Sequence, residues 1–180
     1  MNEIGTAIMD AAERRMRRGG FNGFSFRELA EDVGIKSSSV HYHFPTKENL
    51  AAAVIRRYRE YVEVLIDRRL RLGSNPVHVW VRAFRETLRS EDQMCPATVL
   101  AASSLDLPTE LGEEVAAFFE MCISKLIASG ETKADASHVI ATITGALVLA
   151  NSMQDHAVYD HATKVLMAPG RPRKPARHPA

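Results

Sequence analysis

Apolar residues recur every three or four positions along most of the chain, which is the spacing of one face of an α-helix. The first such stripe ends at the glycine pair Gly19-Gly20. Two short segments follow, over residues 25–33 and 37–43, and a long stripe then covers residues 47–72. No period-two alternation bounded by hairpin turns interrupts this pattern, so the sequence predicts an all-α fold.

The second half of the chain continues the helical pattern and brings the prediction to about nine helices. Its helices are expected over residues 77–90, 96–105, 108–129, 133–154 and 158–167. The remaining residues, 169–180, are rich in proline and basic groups, a composition typical of a disordered tail.

Local signals divide the first 50 residues into short elements. Ser25 with Glu28 three positions later fits a capping box, and Gly34 is placed to end that helix. Pro45 should end the next short helix, and Thr46 should cap the long one. Two short helices joined by a tight turn containing glycine are typical of a helix-turn-helix, whose second helix enters the major groove of DNA.

Charge adds modest support for an anionic partner. Residues 1–72 hold 13 Lys and Arg against 10 Asp and Glu, whereas residues 73–167 hold 6 against 12. The chain lacks the apolar core of a secretory signal, and no apolar run is expected to reach the roughly 20 residues of a membrane span. Its two cysteines, Cys95 and Cys122, are too few for a disulfide framework, which favours a reducing cytoplasm.

His41 and His43 raise the question of a metal site or a catalytic site. On a helix, residues two apart point in nearly opposite directions, so these two imidazoles are not expected to share a metal ion. The chain has no Gly-rich phosphate loop and no nucleophile or metalloprotease motif. The remaining alternatives are a solvated face and a nucleic-acid contact.

The periodicity of residues 37–43 places Val40 and Phe44 inward and Ser38, His41 and Tyr42 outward. Hydroxyl and imidazole groups on such a face can bind bases or phosphates. Taken alone, these residues fit a solvated polar surface as well as they fit a DNA contact.

The stretch FSFRELAEDVGIKSSSVHYHFPTKENL, residues 24–50, closely resembles the DNA-binding signature of TetR-family transcriptional regulators. The resemblance implies a homodimeric, effector-responsive regulator, usually a repressor, that binds a palindromic operator in double-stranded DNA. It implies a DNA-binding domain over residues 1–48 and a ligand-binding and dimerisation domain over 49–168. Neither an enzymatic activity nor a cofactor is expected.

Carried over position by position, the resemblance assigns DNA contacts to ten residues: Ser25, Arg27, Lys36, Ser37, Ser38, Ser39, His41, Tyr42, His43 and Lys47. The chain departs from the family at His41, where tyrosine is common. Because the charge of a histidine ordinarily changes between pH 5 and 8, we expect DNA binding to depend on pH.

The body of the chain offers candidates for an effector pocket and a dimer interface. The pocket candidates are apolar or aromatic: Trp80, Phe84, Met94, Cys95, Leu100, Phe118, Phe119, Met121 and Met153. An apolar pocket would favour a small hydrophobic or amphipathic effector. The helix over 133–154 is apolar on more than one side, and its interface candidates are Val139, Ile140, Ile143, Leu147 and Leu149. Burial of these residues in the core is the alternative.

Cys95 precedes Pro96 at a predicted helix start, as in a subset of TetR-family regulators with a cysteine opening the sixth helix. A helix N-terminus favours thiolate, so a thiol-based sensor of oxidants or electrophiles is one alternative function. A small helical enzyme that uses His41 or Cys95 is another. A protein-interaction module is a third, disfavoured by Lys47 and the serine-rich helix.

Overall fold

The structure of the chain is a computed structural model that describes residues 3–89 and 94–168. Within these ranges it contains nine α-helices and no strand: α1 (Glu3–Gly19), α2 (Phe26–Val33), α3 (Ser37–His43), α4 (Lys47–Arg71), α5 (Pro76–Thr87), α6 (Pro96–Ala101), α7 (Thr109–Ala128), α8 (Lys133–Met153) and α9 (His156–Met167). Short 3₁₀ turns lie at Phe21–Gly23 and Ser104–Asp106. The predicted all-α fold is confirmed, and the basic tail lies outside the described residues.

Two helices differ in extent from the prediction. The helix expected over 96–105 ends at Ala101, and a 3₁₀ turn follows in which the Asp106 amide donates to the Ser103 carbonyl at 3.0 Å. The last helix begins at His156 rather than at residue 158, because the Asp155 side chain accepts a hydrogen bond from the Ala157 amide at 2.9 Å. A side-chain cap of this kind fixes a helix start independently of the apolar stripe.

The chain divides into two compact units. The first comprises residues 1–62 and 91–118, and the second comprises residues 63–90 and 119–180. The first unit therefore contains α1, α2, α3 and α6, and the predicted DNA-binding segment 1–48 lies within it. The predicted boundary between residues 48 and 49 stays a prediction.

The first unit has a core to which both its long and its short helices contribute buried apolar side chains. Ile8 and Met16 of α1, Leu29 of α2, Val40 of α3 and Leu50 of α4 are fully buried. Burying an aliphatic side chain of this size contributes about 1.5–3 kcal/mol relative to leaving it exposed. This core fixes α3 by a single apolar face and leaves its remaining side chains outside.

The second unit joins α5, α8 and α9. Tyr159 of α9 is fully buried, and its hydroxyl donates to the Val81 carbonyl of α5 at 2.8 Å. Arg85 of α5 donates to both carboxylate oxygens of Asp160, at 2.7 and 3.0 Å. These contacts join two helices that are more than 70 residues apart in sequence.

Helix α8 corrects one expectation from the sequence. Over the described residues, α8 alone is long and apolar enough to cross a membrane by length and composition, with a mean hydropathy of 1.3 in its most apolar window. The expectation that no apolar run approaches that length is therefore wrong for α8. A share of 39% of that window is buried within the chain, and a core helix of a soluble protein has the same composition.

Candidate nucleic-acid interface

The turn between α2 and α3 has the geometry of a capped, sharply ended helix. The Ser25 hydroxyl accepts from the Glu28 amide at 3.3 Å and donates to the Glu28 carboxylate at 2.8 Å. At the other end of α2, Gly34 has φ = 74°, a left-handed conformation that glycine adopts at little cost. The Ile35 amide then donates to the Ala30 carbonyl at 2.9 Å. The two helices are thus held at a fixed turn, as the sequence predicted.

Helix α1 is fastened to α2 by one arginine. Arg15 donates through Nε and Nη2 to the two carboxylate oxygens of Asp32, at 2.6 and 3.0 Å, and through Nη1 to Glu28 at 3.1 Å. The hydrogen bond from Arg15 lowers the pKa of Asp32, and the bond to Asp32 in turn raises the pKa of Arg15. The pKa of Glu28 is also lowered, first by its hydrogen bond with Ser25. The ion pairs of Arg15 therefore help to orient α2, in addition to the apolar packing between the helices.

Helix α3 presents a polar surface over a buried apolar anchor. Val40 is fully buried and Phe44 nearly so, whereas Tyr42 is 85% exposed. Ser38 and His41 are exposed as well. The structure confirms the predicted orientation of this helix. Val40 points inward, and the serine, histidine and tyrosine point outward.

The ten predicted DNA contacts all lie in the first unit with at least part of each side chain accessible. Ser25, Arg27, Lys36, Ser38, His41 and Tyr42 are exposed, and Ser37, Ser39, His43 and Lys47 are half-buried. Arg27 forms an ion pair with Glu31, four residues along α2, at 3.2 Å. The exposure of the ten side chains is compatible with DNA contacts, and the contacts themselves stay predictions.

Aromatic contacts hold the two histidine rings of α3. The His41 ring lies edge-on to Phe26, with centroids 4.7 Å apart and an interplanar angle of 69°. The His43 ring lies edge-on to Tyr42 at 5.3 Å and 81°. Such pairs favour one ring orientation, so the imidazole nitrogens have restricted positions at the surface.

Lys47, at the start of α4, is held between two phenylalanines. Its Nζ atom lies 4.6 Å from the Phe21 ring centroid and 4.7 Å from that of Phe24. An ammonium near an aromatic face is attracted by the ring quadrupole. Partial burial lowers the pKa of Lys47, the largest of the effects on it. The segment Phe21–Phe24 therefore positions the cation predicted to bind phosphate.

Sequence reasoning identified Lys47 but not the residues that orient it. Phe21, Phe24 and Arg15 lie outside the predicted contact set although each touches the site or supports it. The pattern Phe-Asn-Gly-Phe before α2 was a usable signal, because two aromatic residues around a glycine turn must pack against something.

The nine pocket candidates are divided between the two units. Met94, Cys95, Leu100 and Phe118 belong to the first unit, where Phe118 stacks on Tyr58 with centroids 5.5 Å apart. Trp80, Phe84, Phe119, Met121 and Met153 belong to the second. Met153 is 63% exposed, whereas the Trp80 side chain is fully buried, and among the residues that the structure describes its Nε1 atom has no hydrogen-bond acceptor. The assignment of these residues to an effector stays a prediction.

Most of the predicted dimer-interface residues are covered by their own chain. Val139, Ile140, Ile143 and Leu147 of α8 are buried, and only Leu149, at 52% exposure, is accessible to a partner. The first four therefore pack in the core of the second unit, the alternative that the sequence left open. The apolar periodicity of α8 is two-sided, and the sequence could not identify which side the chain itself covers.

Cys95 lies immediately before α6 and is fully buried. Burial raises the pKa of the neighbouring Tyr58 hydroxyl, and the Cys95 thiol beside it raises that pKa further. Arg17 of α1 donates to the Met94 carbonyl and lies over the Tyr58 ring at 5.2 Å. A covered thiol does not favour the sensing alternative, since reactive cysteines are partly exposed.

The segment that contains this interface matches the profile of a known family. The sequence profile described as bacterial regulatory proteins, tetR family, matches residues 8–54, a segment that contains α2, α3 and the start of α4. This segment of the chain is thus similar to the tetR family of bacterial regulatory proteins. Comparison with curated proteins gives no match.

Solved structures of TetR-family proteins share the whole fold. A TetR-family transcriptional regulator from Agrobacterium tumefaciens is 27% identical, with a TM-score of 0.84, and the alignment covers 91% of this chain and 96% of that one. A TetR transcriptional regulator from Legionella pneumophila is 24% identical, with a TM-score of 0.82 and coverage of 93% and 97%. The reduced form of E. coli NemR is 17% identical, with a TM-score of 0.79 and coverage of 92% and 95%. The chain thus has the fold of TetR-family DNA-binding transcriptional regulators.

Proposed function

We propose that the protein is a homodimeric, effector-responsive transcriptional repressor of the TetR family that acts in the cytoplasm. The observation that carries the proposal is α3, which is anchored by buried Val40 and presents an 85% exposed Tyr42 beside exposed Ser38 and His41. A short helix with these polar groups outward fits the major groove.

The predicted DNA contacts fall into two groups, residues that would contact bases and residues that would contact phosphates. The bases would be read at the start of α3 by Lys36, Ser37, Ser38 and Ser39. Ser25 and Arg27 of α2 and Lys47 of α4 would bind phosphates, where cations and hydroxyls fix the register of a protein on DNA. His41, Tyr42 and His43 would contact phosphates or base edges. The aromatic pair around Lys47 supports this role, because it presents the ammonium in one place.

Dimerisation would use the accessible face of α8 and α9. Four large apolar side chains are exposed on these two helices: Val148, Leu149 and Met153 on α8 and Val165 on α9. Exposed apolar patches of this kind are typical of interaction surfaces. A twofold dimer would place two α3 helices in successive major grooves of a palindromic operator, about 34–36 Å apart.

Effector control would come from the helical body. The buried apolar and aromatic candidates there favour a small hydrophobic or amphipathic molecule. Because coupling between two sites is reciprocal, an effector that weakens DNA binding is itself bound more weakly by the DNA complex.

The decisive experiment is a titration of the purified protein onto the DNA upstream of its own gene, at several salt concentrations, with scrambled DNA as the control. We expect sequence-dependent binding whose affinity falls steeply as salt increases, since phosphate contacts release counterions. If that DNA shows no preference, selection of bound fragments from the whole genome follows. Failure to select any sequence would contradict the proposal.

A further inference from the structure

The first turn of α4, which carries Lys47, is hydrogen-bonded to α7. Asn49 Nδ2 donates to the Glu110 carboxylate at 2.9 Å, and the two residues lie 61 positions apart in the chain. Both belong to the first unit. Glu110 lies in the first turn of α7, so the bond joins the beginnings of two long helices.

The same asparagine completes the N-terminal cap of α4. The Thr46 hydroxyl accepts from the Asn49 amide at 3.1 Å, the hydrogen bond of a helix N-cap, and donates to the Asn49 side-chain oxygen at 3.0 Å. Asn49 thus uses its side-chain oxygen on the cap and its side-chain nitrogen on α7. Lys47 lies between the two capping residues in the chain, so the position of its Cα atom depends on this cap.

Further ion pairs join α4 and α7 beyond Glu110. Arg56 donates to Glu114 at 2.7 Å and also lies 3.7 Å from the Glu110 carboxylate. Arg59 donates to the second oxygen of Glu114 at 3.3 Å. All four residues belong to the first unit. These pairs keep the two helices in register, and the Glu110 carboxylate therefore stays next to the first turn of α4.

The bond to Glu110 is not what holds α4 in the protein. Leu50 and Val54 of the same helix are fully buried, whereas the Glu110 side chain is 47% exposed. Exposed polar pairs contribute little to the free energy of unfolding, because water screens them. The consequence of the bond is therefore local. It restricts the first turn of α4, from which the predicted phosphate ligand extends.

We propose that Glu110 is a positioning residue for DNA binding, which holds Asn49 and thereby fixes the first turn of α4 and the phosphate ligand Lys47. This inference rests on the proposed function and extends it to a residue outside the helix-turn-helix. The two phenylalanine rings restrict the ammonium end of Lys47, and Glu110 restricts the backbone from which that side chain extends. A side chain restricted at both ends loses less conformational entropy when it binds a phosphate.

The test compares Glu110→Ala with Glu113→Ala, which removes an exposed acid three residues further along α7. The probe is a duplex that the wild-type protein selects from random DNA. Loss of either acid makes the protein more positive, which by itself should raise its affinity for DNA. We expect Glu113→Ala to bind at least as tightly as wild type. Glu110→Ala should bind about five-fold more weakly, because a hydrogen bond that orders the contact is lost.

Two further variants separate positioning from a general effect on α7. Glu110→Gln should recover most of the affinity, since its amide oxygen can still accept from Asn49. In a Lys47→Gln protein, which lacks the ammonium, the additional change Glu110→Ala should have no effect, because residues that act as one unit are not additive. Urea unfolding gives the folded fraction by which each affinity is corrected.

The remaining outcomes would each overturn part of the inference. A Glu110→Ala protein that binds as tightly as wild type, or equal losses in Glu110→Ala and Glu113→Ala, would overturn it and leave the regulator proposal intact. A loss that persists in the Lys47→Gln background would exclude positioning of Lys47, and failure of Glu110→Gln to recover affinity would exclude the bond to Asn49 as the cause. A wild-type protein that selects no sequence would overturn the proposed function and the inference together.

Discussion

Tyr42 is a side chain whose contribution to DNA binding can be measured separately from its contribution to the free energy of unfolding. It is largely exposed on α3 and contacts the His43 ring, which itself is half-buried. An exposed residue contributes little to folding, and most surface substitutions change the free energy of unfolding by less than about 0.5 kcal/mol. A large effect of Tyr42 on DNA binding would therefore belong to the interface alone.

We expect Tyr42→Ala to lower DNA affinity about ten-fold, equivalent to about 1.4 kcal/mol, because a hydrogen bond to a charged phosphate is lost. Unfolding by urea should be nearly unchanged. The matched control is Tyr61→Ala, which removes a 63% exposed tyrosine from α4. Equal DNA affinity in the two variants would contradict a contact by Tyr42.

His41 carries the second prediction at this scale. The pH dependence of DNA binding expected from the sequence would arise at His41, and it would appear as a difference in operator affinity between pH 6 and pH 8. His41→Phe keeps a ring against Phe26 and should lose that part of the difference. Fluorescence anisotropy at both pH values measures it. Equal affinities at pH 6 and 8 in wild type and variant would remove the hypothesis.

The link between α1 and α2 has a clear electrostatic component. Arg15 reaches Asp32 across 17 residues of sequence, and both side chains are about one-third exposed. Solvent screening limits a pair of that exposure to at most about 1 kcal/mol. The link therefore adjusts the position of α2 on a core that apolar burial has already formed.

Asp32→Asn should consequently lower the free energy of unfolding at pH 7 by at most about 1 kcal/mol. The pKa of Asp32 is lowered in the folded state, so its contribution is complete above the ordinary carboxyl value of 3.8 and is lost as pH falls through the folded value. The wild type and the variant should thus approach equal stability as pH falls below the folded pKa of Asp32.

Urea unfolding at pH 7 and at low pH measures this convergence, with Asp106→Asn as the control. Asp106 is exposed, and no ion pair is formed by its carboxylate over the ranges that the structure describes. A gap between wild type and Asp32→Asn that persists at low pH would show that the loss is not electrostatic.

For the whole molecule, the exposed side of α8 is the predicted dimer interface. Helix α8 has small and apolar residues on two sides, and its buried side is filled by Ile143 and Leu147. The opposite side exposes Leu149 and Met153. A protein that presents these groups to water is expected to cover them in a dimer.

We expect Leu149→Glu to shift the protein from dimer to monomer and to lower operator affinity at least ten-fold, because two half-sites are no longer bound together. Sedimentation equilibrium measures the first effect and DNA titration the second. Leu72→Glu is the control, since Leu72 is 78% exposed in the turn after α4. A Leu149→Glu protein that remains dimeric would place the interface elsewhere.

The parts of the candidate site that depend on interactions between neighbours in the chain could be predicted from the sequence. Ser25 with Glu28, Gly34, and Thr46 with Asn49 each act over three or four residues, so the ends of α2 and α4 follow from neighbours in the chain. The single apolar face of α3 likewise determined which of its side chains point outward. The resemblance of residues 24–50 to the TetR-family signature predicted the DNA-binding function proposed above.

The sequence by itself thus determined the helices and the outward face of α3, because caps and periodicity are short-range. Only the tertiary structure decided that Lys47 lies between Phe21 and Phe24, that Arg15 binds Asp32, and that Cys95 is buried. It also decided which face of α8 the chain covers. Contacts between distant residues depend on how helices pack against one another, and a helix that is apolar on two sides carries no local signal of which side is buried.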